Sequence, residues 1–155
     1  MKLSKKNREN LRMKFGGKCA YCGHELNARW QADHVKPVNR VIKWVTQEHG
    51  GRKAVATGKM RNPENDHEGN LMPSCSPCNN DKRSATLEEW RKRLEDLPGV
   101  CDRNHSAYRH AIRFGLVVET ARPVEFYFES LHNAETDRIE EGDSVDCLVE
   151  TEGGV

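Results

Sequence analysis

Two pairs of cysteines constrain this chain more than any other feature of its sequence. The pairs, Cys19-x-x-Cys22 and Cys75-x-x-Cys78, are separated by 52 residues. Two intervening residues allow both sulfurs of a pair to reach one ion, and two such pairs provide the four corners of a tetrahedral site. The spacing therefore predicts a structural Zn²⁺ site, in preference to a redox pair or ordinary buried thiols. The isolated Cys101 and Cys147 are expected to be bystanders.

The composition explains why a chain of this size would need a metal staple. Its 155 residues suit one modest domain with an extension, but only 35% are hydrophobic and 32% are charged. Small domains with so little apolar material usually depend on a disulfide or a structural metal. The start of the chain has charged residues without an apolar stretch behind them, so we expect no membrane span and a reducing, cytoplasmic compartment.

Hydrophobic spacing and turn residues predict a mixture of helices and strands, and hence an α+β fold. We expect helices over 4–15 and 104–114, a short amphipathic helix from Val38 to Val45 and a capping box at Thr86. Extended segments are expected over 26–35 and 69–73, a polar loop over 52–65, and an edge strand carrying Val124, Phe126 and Phe128. The three tryptophans are expected to pack in the core or a hairpin: Trp30, Trp44 and Trp90.

Charge divides the chain into two unequal parts. Residues 1–95 contain 20 Lys/Arg against 11 Asp/Glu, a net charge of +9, whereas residues 96–155 have a net charge of −8. A basic first part suits a polyanion such as DNA, although a solvated basic face would have the same composition. The residues expected to bind nucleic acid are Lys36, Arg40, Lys43, Arg52, Lys53 and Lys82.

These patterns suggest three regions along the chain. Residues 1–97 would form the metal-stapled core, with a basic insert over about 36–66 that could be a DNA-gripping arm, a lid or a solvated loop. Residues 98–131 would add a helix and a strand, and residues 132–155 an acidic, disordered tail. A protein-interaction role for that tail has only compositional support.

Polar residues between and beside the cysteine pairs indicate a catalytic site. Asp33 and His34 end an extended stretch, and Asn79 follows Cys78 directly. Histidine suits a general base, and carboxylate and amide oxygens suit Mg²⁺ or Mn²⁺. Adjacent strand residues point to opposite faces, so Asp33 and His34 can share a site only if the strand distorts at its end. Asp66-His67 repeats the dipeptide, which makes His67 a weaker candidate for the site.

Together these residues resemble the HNH, or ββα-metal, nucleases, and among them the zinc-containing members of the recombination endonuclease VII type. The motifs that carry the resemblance span about residues 15–95: Cys19-x-x-Cys22, Asp33-His34-Val35-x-Pro37, Asn70-Leu71-Met72-Pro73-x-Cys75-x-x-Cys78-Asn79 and Lys82. The family's fold is a β-hairpin followed by a helix around a divalent metal ion. The segment between His34 and Asn70 is longer than in compact members, which implies an interrupted hairpin.

The resemblance implies a role for each matched residue. His34 would be the general base, and Asp33 and Asn79 would hold a catalytic Mg²⁺ or Mn²⁺. Asn70 would complete the catalytic site by fastening a loop, so that a backbone carbonyl holds the second ring nitrogen of His34. Lys82 could contact phosphate or simply pack.

The resulting expectation is a metal-dependent DNA endonuclease or nickase. The alternative is a non-catalytic, zinc-dependent nucleic-acid-binding module, which explains the cysteines and the basic charge equally well. It does not explain why Asp-His, Asn and Cys-Asn occur in the family's order. Small stand-alone proteins of this type are common in viral genomes of bacteria, which favours a phage-infected cell as the setting.

Overall fold

Four strands form two separate antiparallel pairs in the computed structural model, which describes residues 1–133. The outer pair joins β1 (Gln31–His34) to β4 (Leu71–Ser74), with Gln31 opposite Ser74 and His34 opposite Leu71. The inner pair joins β2 (Arg40–Thr46) to β3 (Arg52–Met60). Because β2 and β3 lie between β1 and β4 in the chain, the inner pair is an insertion within the outer hairpin.

Helices complete the α+β fold that the sequence predicted. They are α1 (Lys5–Met13), α2 (Ser76–Lys82), α3 (Leu87–Glu95), α4 (Leu97–Asn104), α5 (Ser106–Arg113) and a final helical segment over 127–133. Two 3₁₀ turns, Pro63–Asn65 and Glu68–Asn70, precede β4. Since α2 begins two residues after β4 ends, the order around the cysteines is strand, strand, helix. Within the described residues, no helix is both long and apolar enough to cross a membrane.

Side-chain caps begin two of the helices where the sequence predicted them. The Ser4 hydroxyl accepts a hydrogen bond from the Asn7 N–H at 3.1 Å, at the start of α1. Thr86 and Glu89 form the predicted capping box, in which each side chain accepts the other residue's N–H. The Thr86 N–H also lowers the pKa of the Glu89 carboxyl. These caps satisfy donors that every helix start leaves without an intrahelical partner.

The insert corrects two predictions, because the segments expected to be a helix and a polar loop are instead strands β2 and β3. The apolar residues of β2 do recur at helical spacing, but four of its seven residues are β-branched and favour a strand. Gly50 and Gly51 adopt positive φ angles of 78° and 90° in the turn between the strands. They reverse the chain and allow β3 to pair with β2.

A compact aromatic cluster forms the core beside the first cysteine pair. The Tyr21 ring makes T-shaped contacts with Trp90 and Phe126 at centroid distances of 5.0 and 5.6 Å, and Trp90 stacks on Phe126 at 5.0 Å. Trp30 is also buried, with the Arg8 guanidinium 4.2 Å from its ring centroid. Trp44, in contrast, is 61% exposed on β2, so it does not pack in the core.

The predicted edge strand at the end of the described region is wrong, since residues 127–133 are helical. The N–H groups of Tyr127 and Phe128 donate to the carbonyls of Tyr21 and Ala20 at 3.0 and 2.9 Å. Alternation of aromatic residues suggested a strand. The first N–H groups of the helical segment have no intrahelical acceptor, and carbonyls of the first cysteine turn accept them instead. Residues 134–155, which include most of the predicted acidic tail, lie outside the described residues.

Candidate metal centre and adjoining pocket

The four paired cysteines meet at one point, as their spacing predicted. The sulfurs of Cys19, Cys22, Cys75 and Cys78 all lie within 4.8 Å of one another. The Cys22 and Cys75 sulfurs are 3.7 Å apart. A tetrahedral site with zinc–sulfur bonds of about 2.3 Å would have edges of about 3.8 Å, which matches this separation. The cluster could therefore hold a metal ion.

Backbone hydrogen bonds hold the two cysteine turns together. The Cys75 N–H donates to the Cys19 sulfur at 3.3 Å, and the Ala20 N–H donates to the Pro73 carbonyl at 2.8 Å. Gly23 closes the first turn with a φ of 72°. A Cβ at that position would lie 3.1 Å from the Tyr127 ring, so the helical segment 127–133 fits closely over the turn.

Mutual hydrogen bonding among the thiols separates their pKa values. A hydrogen bond from Cys78 lowers the pKa of Cys19 to about 4, and the same contact raises the pKa of Cys78. Burial, the largest cause at Cys22, raises the pKa of that thiol to about 11. Four thiols this close cannot all ionise without a cation between them, which is the chemistry of a closed metal site.

An open pocket of about 420 Å³ adjoins the second cysteine turn, and Asp33, His34 and Asn79 all line it. Asp33 and His34 are adjacent, so pleat geometry alone would place them on opposite faces. His34 is the last residue of β1, and the chain bends at residues 35–36. The strand end therefore brings into one pocket the three residues that the sequence had singled out.

Two buried groups hold the carboxylate of Asp33, which is itself 6% exposed. The Tyr21 hydroxyl donates to Oδ2 at 2.5 Å, and the Lys82 ammonium lies 2.9 Å from the same oxygen. Burial, followed by the charge of Asp33, raises the pKa of Tyr21. Both contacts use Oδ2, and Oδ1 makes no hydrogen bond within residues 1–133. That oxygen is available to a ligand.

Lys82 corrects the predicted set of nucleic-acid-binding residues. Its side chain is 0% exposed, and its ammonium also donates to the His34 carbonyl at 2.7 Å. A lysine enclosed in this way is unavailable to a phosphate at the surface. Its two contacts instead fasten the end of β1 to α2, where Asp33 and His34 enter the pocket. The buried Lys82 ammonium and the Asp33 carboxylate compensate each other's charge, which is the condition under which proteins tolerate buried ions.

His34 is oriented by a carboxylate that the sequence did not predict to be part of the site. Its Nε2 lies 2.9 Å from Oδ1 of Asp66, where the resemblance implied a backbone carbonyl. A hydrogen bond from the α-amino group of Met1, followed by the bond to His34, lowers the pKa of Asp66. An ionised Asp66 accepts a hydrogen bond from Nε2–H, so the lone pair of the neutral ring lies on Nδ1. Nδ1 makes no hydrogen bond within the described part of the chain.

Asn70 fastens the loop that carries Asp66. Its side-chain amide exchanges hydrogen bonds with the backbone of Lys36, accepting from N–H at 2.9 Å and donating to C=O at 2.8 Å. It also donates to the Asn65 carbonyl at 2.8 Å. Asn70 is 7% exposed, so these bonds satisfy a buried amide. The contacts join the chain after His34 to the turn immediately before Asp66.

Asn79 enters the pocket from the first turns of α2. Its N–H donates to the Cys75 carbonyl at 3.1 Å, so its position depends directly on the cysteine cluster. Its side-chain Nδ2 donates to the Gln31 side chain at the start of β1. The amide oxygen makes no hydrogen bond within residues 1–133, which leaves it as a second oxygen donor beside Asp33.

The remaining basic residues that the sequence assigned to nucleic acid are exposed. All five lie in or beside the insert: Lys36, Arg40, Lys43, Arg52 and Lys53. Arg40 also lines the pocket, so the insert begins at the pocket wall. His67, the weaker candidate, is exposed, and its ring lies over Gly69.

Three residues of the site were not predicted: Tyr21, Asp66 and Arg83. The Asp66-His67 dipeptide made its histidine a candidate, and in the structure the aspartate makes the contact. Tyr21 lies inside the first cysteine turn, where its burial could not be read from spacing. Arg83 gave no signal in the sequence. No protein-family model, curated protein or solved structure matches this chain.

Proposed function

We propose that this protein is a metal-dependent DNA endonuclease or nickase of the HNH type that hydrolyses phosphodiester bonds with His34 as general base. One observation carries the proposal: a histidine oriented by Asp66 shares a pocket with two oxygen donors, Asp33 and Asn79. Phosphodiester hydrolysis requires a base for the attacking water and a cation for the developing charge. Both requirements can be met within this pocket.

The His34–Asp66 pair supplies the base. With Nε2 donating to the carboxylate, Nδ1 can accept a proton from a water molecule in the pocket. Asp66 then stabilises the imidazolium that forms and keeps the ring from rotating. Asn70 acts as a positioning residue, because it fastens the turn that leads to Asp66.

Asp33 and Asn79 would hold the divalent cation, Mg²⁺ or Mn²⁺, through their free oxygens. Such an ion supplies Lewis-acid stabilisation of charge on the phosphate oxygens. Lys82 neutralises part of the Asp33 charge, at 2.9 Å from Oδ2. We therefore expect the protein to bind the ion mainly together with the substrate phosphate, as Mg²⁺ sites with few carboxylates commonly do.

We propose that the cysteine cluster holds Zn²⁺ in a structural role. Four thiolates close the coordination sphere, so no position remains for a substrate. The cluster positions the pocket in two ways. Asn79 is hydrogen-bonded to the backbone of Cys75, and Tyr21, between the first two cysteines, donates to Asp33.

A plasmid assay tests the enzymatic proposal. Zinc-loaded protein with Mg²⁺ or Mn²⁺ should nick or linearise supercoiled DNA, whereas His34→Ala should bind DNA without cutting it. His110→Ala is the matched control, because His110 is an exposed histidine on α5. Equal cutting by His34→Ala would remove His34 from the base role. Binding without cutting by the wild type in both metals would identify the alternative, a non-catalytic zinc-dependent nucleic-acid-binding module.

A further inference from the structure

The inserted strand pair, residues 40–60, forms a two-stranded ribbon. The main contacts of its two strands are with each other. Three of its apolar side chains are exposed to solvent, Ile42 by 51%, Trp44 by 61% and Val45 by 42%. An isolated two-stranded hairpin is at best marginally stable in water, and exposed apolar side chains commonly mark a binding surface. The ribbon is therefore a surface that lacks a partner within residues 1–133.

The charge of the insert indicates what that partner is. Residues 36–61 contain seven Lys/Arg and a single acidic residue, Glu48. The strand register pairs Lys43 with Val55 and Val45 with Lys53, so both lysines lie on one face with Val45, whereas Ile42 and Trp44 lie on the opposite face. A second copy of this chain would bring like charges together, whereas a polyanion would neutralise them.

We infer that the ribbon binds double-stranded DNA by entering the major groove, with Lys43 and Lys53 on backbone phosphates. The inference rests on the proposed function, since it assumes that DNA is the substrate. The major groove is about 12 Å wide and admits a two-stranded ribbon. Single-stranded DNA offers no such groove. The ribbon thus selects duplex over single-stranded substrate.

The ribbon's length sets how far this contact extends. The seven residues of β2 begin at the pocket wall with Arg40 and span about 20 Å. At about 3.4 Å per base pair, that distance corresponds to roughly six base pairs from the scissile phosphate. Duplexes shorter than this on the ribbon side should bind less tightly.

A double variant tests the ribbon directly. Lys43→Ala/Lys53→Ala should bind a duplex at least tenfold more weakly, measured by fluorescence anisotropy without added divalent cation. It should bind the single strand of the same sequence almost as the wild type does. The slope of log affinity against log salt should fall by about 1.8, because each phosphate contact contributes about 0.9. Lys5→Ala/Lys92→Ala, on exposed sites of α1 and α3, is the matched control.

Two results would overturn the ribbon inference. One is equal duplex affinity and salt slope for the ribbon variant and its control. The other is a wild-type dimer in sedimentation that Trp44→Ser dissociates without changing duplex affinity, which would assign the ribbon to self-association. Failure of plasmid cutting is a separate result, since it removes the nuclease and leaves the binding measurements intact.

A second inference comes from the backbone of Arg83. Within residues 1–133 it is the only residue other than glycine with a positive φ, at φ 53° and ψ −122°. The Ala85 N–H donates to the Lys82 carbonyl at 3.1 Å, which closes a type II′ turn with Arg83 at its first central position. Glycine is the usual residue there, because an L side chain is strained. Strain retained beside a pocket commonly has a functional reason.

The Arg83 side chain supplies that reason. It is exposed and lines the same pocket as Asp33, His34 and Asn79. Its Nε donates to the Asn80 carbonyl at 3.3 Å, and its two Nη atoms make no hydrogen bond in the described region. We propose that these atoms bind the non-bridging oxygens of the phosphate being cut. A guanidinium fork suits two phosphate oxygens, and the proposal rests on the same nuclease activity.

Arg83→Gly separates strain from function. It should raise the melting temperature because it relieves the backbone, yet lower kcat at least tenfold and weaken DNA binding. Arg83→Lys keeps the charge without the fork and should have an intermediate kcat. A stabilised Arg83→Gly with wild-type kcat and DNA affinity would overturn this role while leaving the nuclease intact. If the wild type does not cut, unchanged DNA affinity in Arg83→Gly would overturn it equally.

Discussion

The outer hairpin and the ribbon are both antiparallel strand pairs, but their environments differ completely. β1 and β4 lie against α1, α2 and the cysteine cluster, and their side chains include buried Asp33, Leu71 and Ser74. The ribbon has no fully buried residue among its 21 positions. The first pair can therefore hold side chains in fixed positions, as catalysis requires, whereas the second offers surface, as binding requires.

Removing one cysteine of the cluster should have the largest effect on the stability of the protein. Cys75→Ser should lose zinc and cooperative unfolding together, because zinc binding contributes on the order of 10 kcal/mol to folding in small zinc domains. Elemental analysis and thermal melting measure the two effects. Cys101→Ser, on α4, is the control and should change neither. A zinc-free wild type with a normal melt would contradict the structural metal.

Removing the buried ammonium beside Asp33 should have the next largest effect. Lys82→Met leaves a buried carboxylate without its counter-ion, which typically costs about 3–5 kcal/mol. Chemical denaturation measures the loss. Lys92→Met removes an exposed lysine from α3 and should cost little. A small effect of Lys82→Met would show that Lys82 is not the partner that keeps Asp33 in place.

The carboxylate behind His34 should matter more for activity than for stability. Asp66→Asn should lower kcat at least tenfold, because an amide no longer stabilises the imidazolium. The pKa of Asp66 is lowered in the folded state, so its stabilising contribution is present above about pH 3.9 and is lost as pH falls through the lower folded pKa. Acid unfolding should therefore be shallower in the variant.

Glu64→Gln is the control for that measurement, since Glu64 lies exposed two residues earlier in the same loop. Both variants remove one negative charge from the loop. If Asp66→Asn and Glu64→Gln have the same kcat and the same acid unfolding curve, the Asp66–His34 contact contributes to neither activity nor acid stability.

Replacing the ribbon should have the smallest effect on stability. The Arg61 N–H donates to the Asn39 carbonyl at 2.8 Å, so the ends of the ribbon are already close. A short Gly/Ser linker in place of residues 40–60 should retain zinc and melt within a few degrees of the wild type, because few contacts with the core are lost. Loss of cooperative melting would show that the ribbon is part of the core, and the contrast between the ribbon and the outer hairpin would no longer hold.

Local chemistry made part of this protein predictable. The geometry within each cysteine pair follows from its two intervening residues, and the starts of α1 and α3 follow from Ser4 and Thr86, because sequence neighbours set those local geometries. The grouping of Asp33, His34 and Asn79 was expected from the family resemblance, whereas strand geometry alone would have placed Asp33 and His34 on opposite faces.

Other features depend on residues distant in the chain. Val38 to Val45 satisfied a helical pattern, and pairing with β3 made most of that segment a strand. The end of the described region became helical where the first cysteine turn accepted its N–H groups. Lys82 could not be distinguished from a surface lysine until Asp33 and the His34 carbonyl enclosed it.

The sequence by itself determined the two cysteine pairs and the helix caps, because spacing of a few residues sets the geometry within each pair and each cap. Only the tertiary structure decided which carboxylate holds His34, which lysine is buried and what form the insert takes. Those outcomes depend on contacts across 30 to 50 residues of chain, such as Asp66 with His34 and Lys82 with Asp33. A local pattern carries no information about which distant group satisfies a buried donor, acceptor or charge.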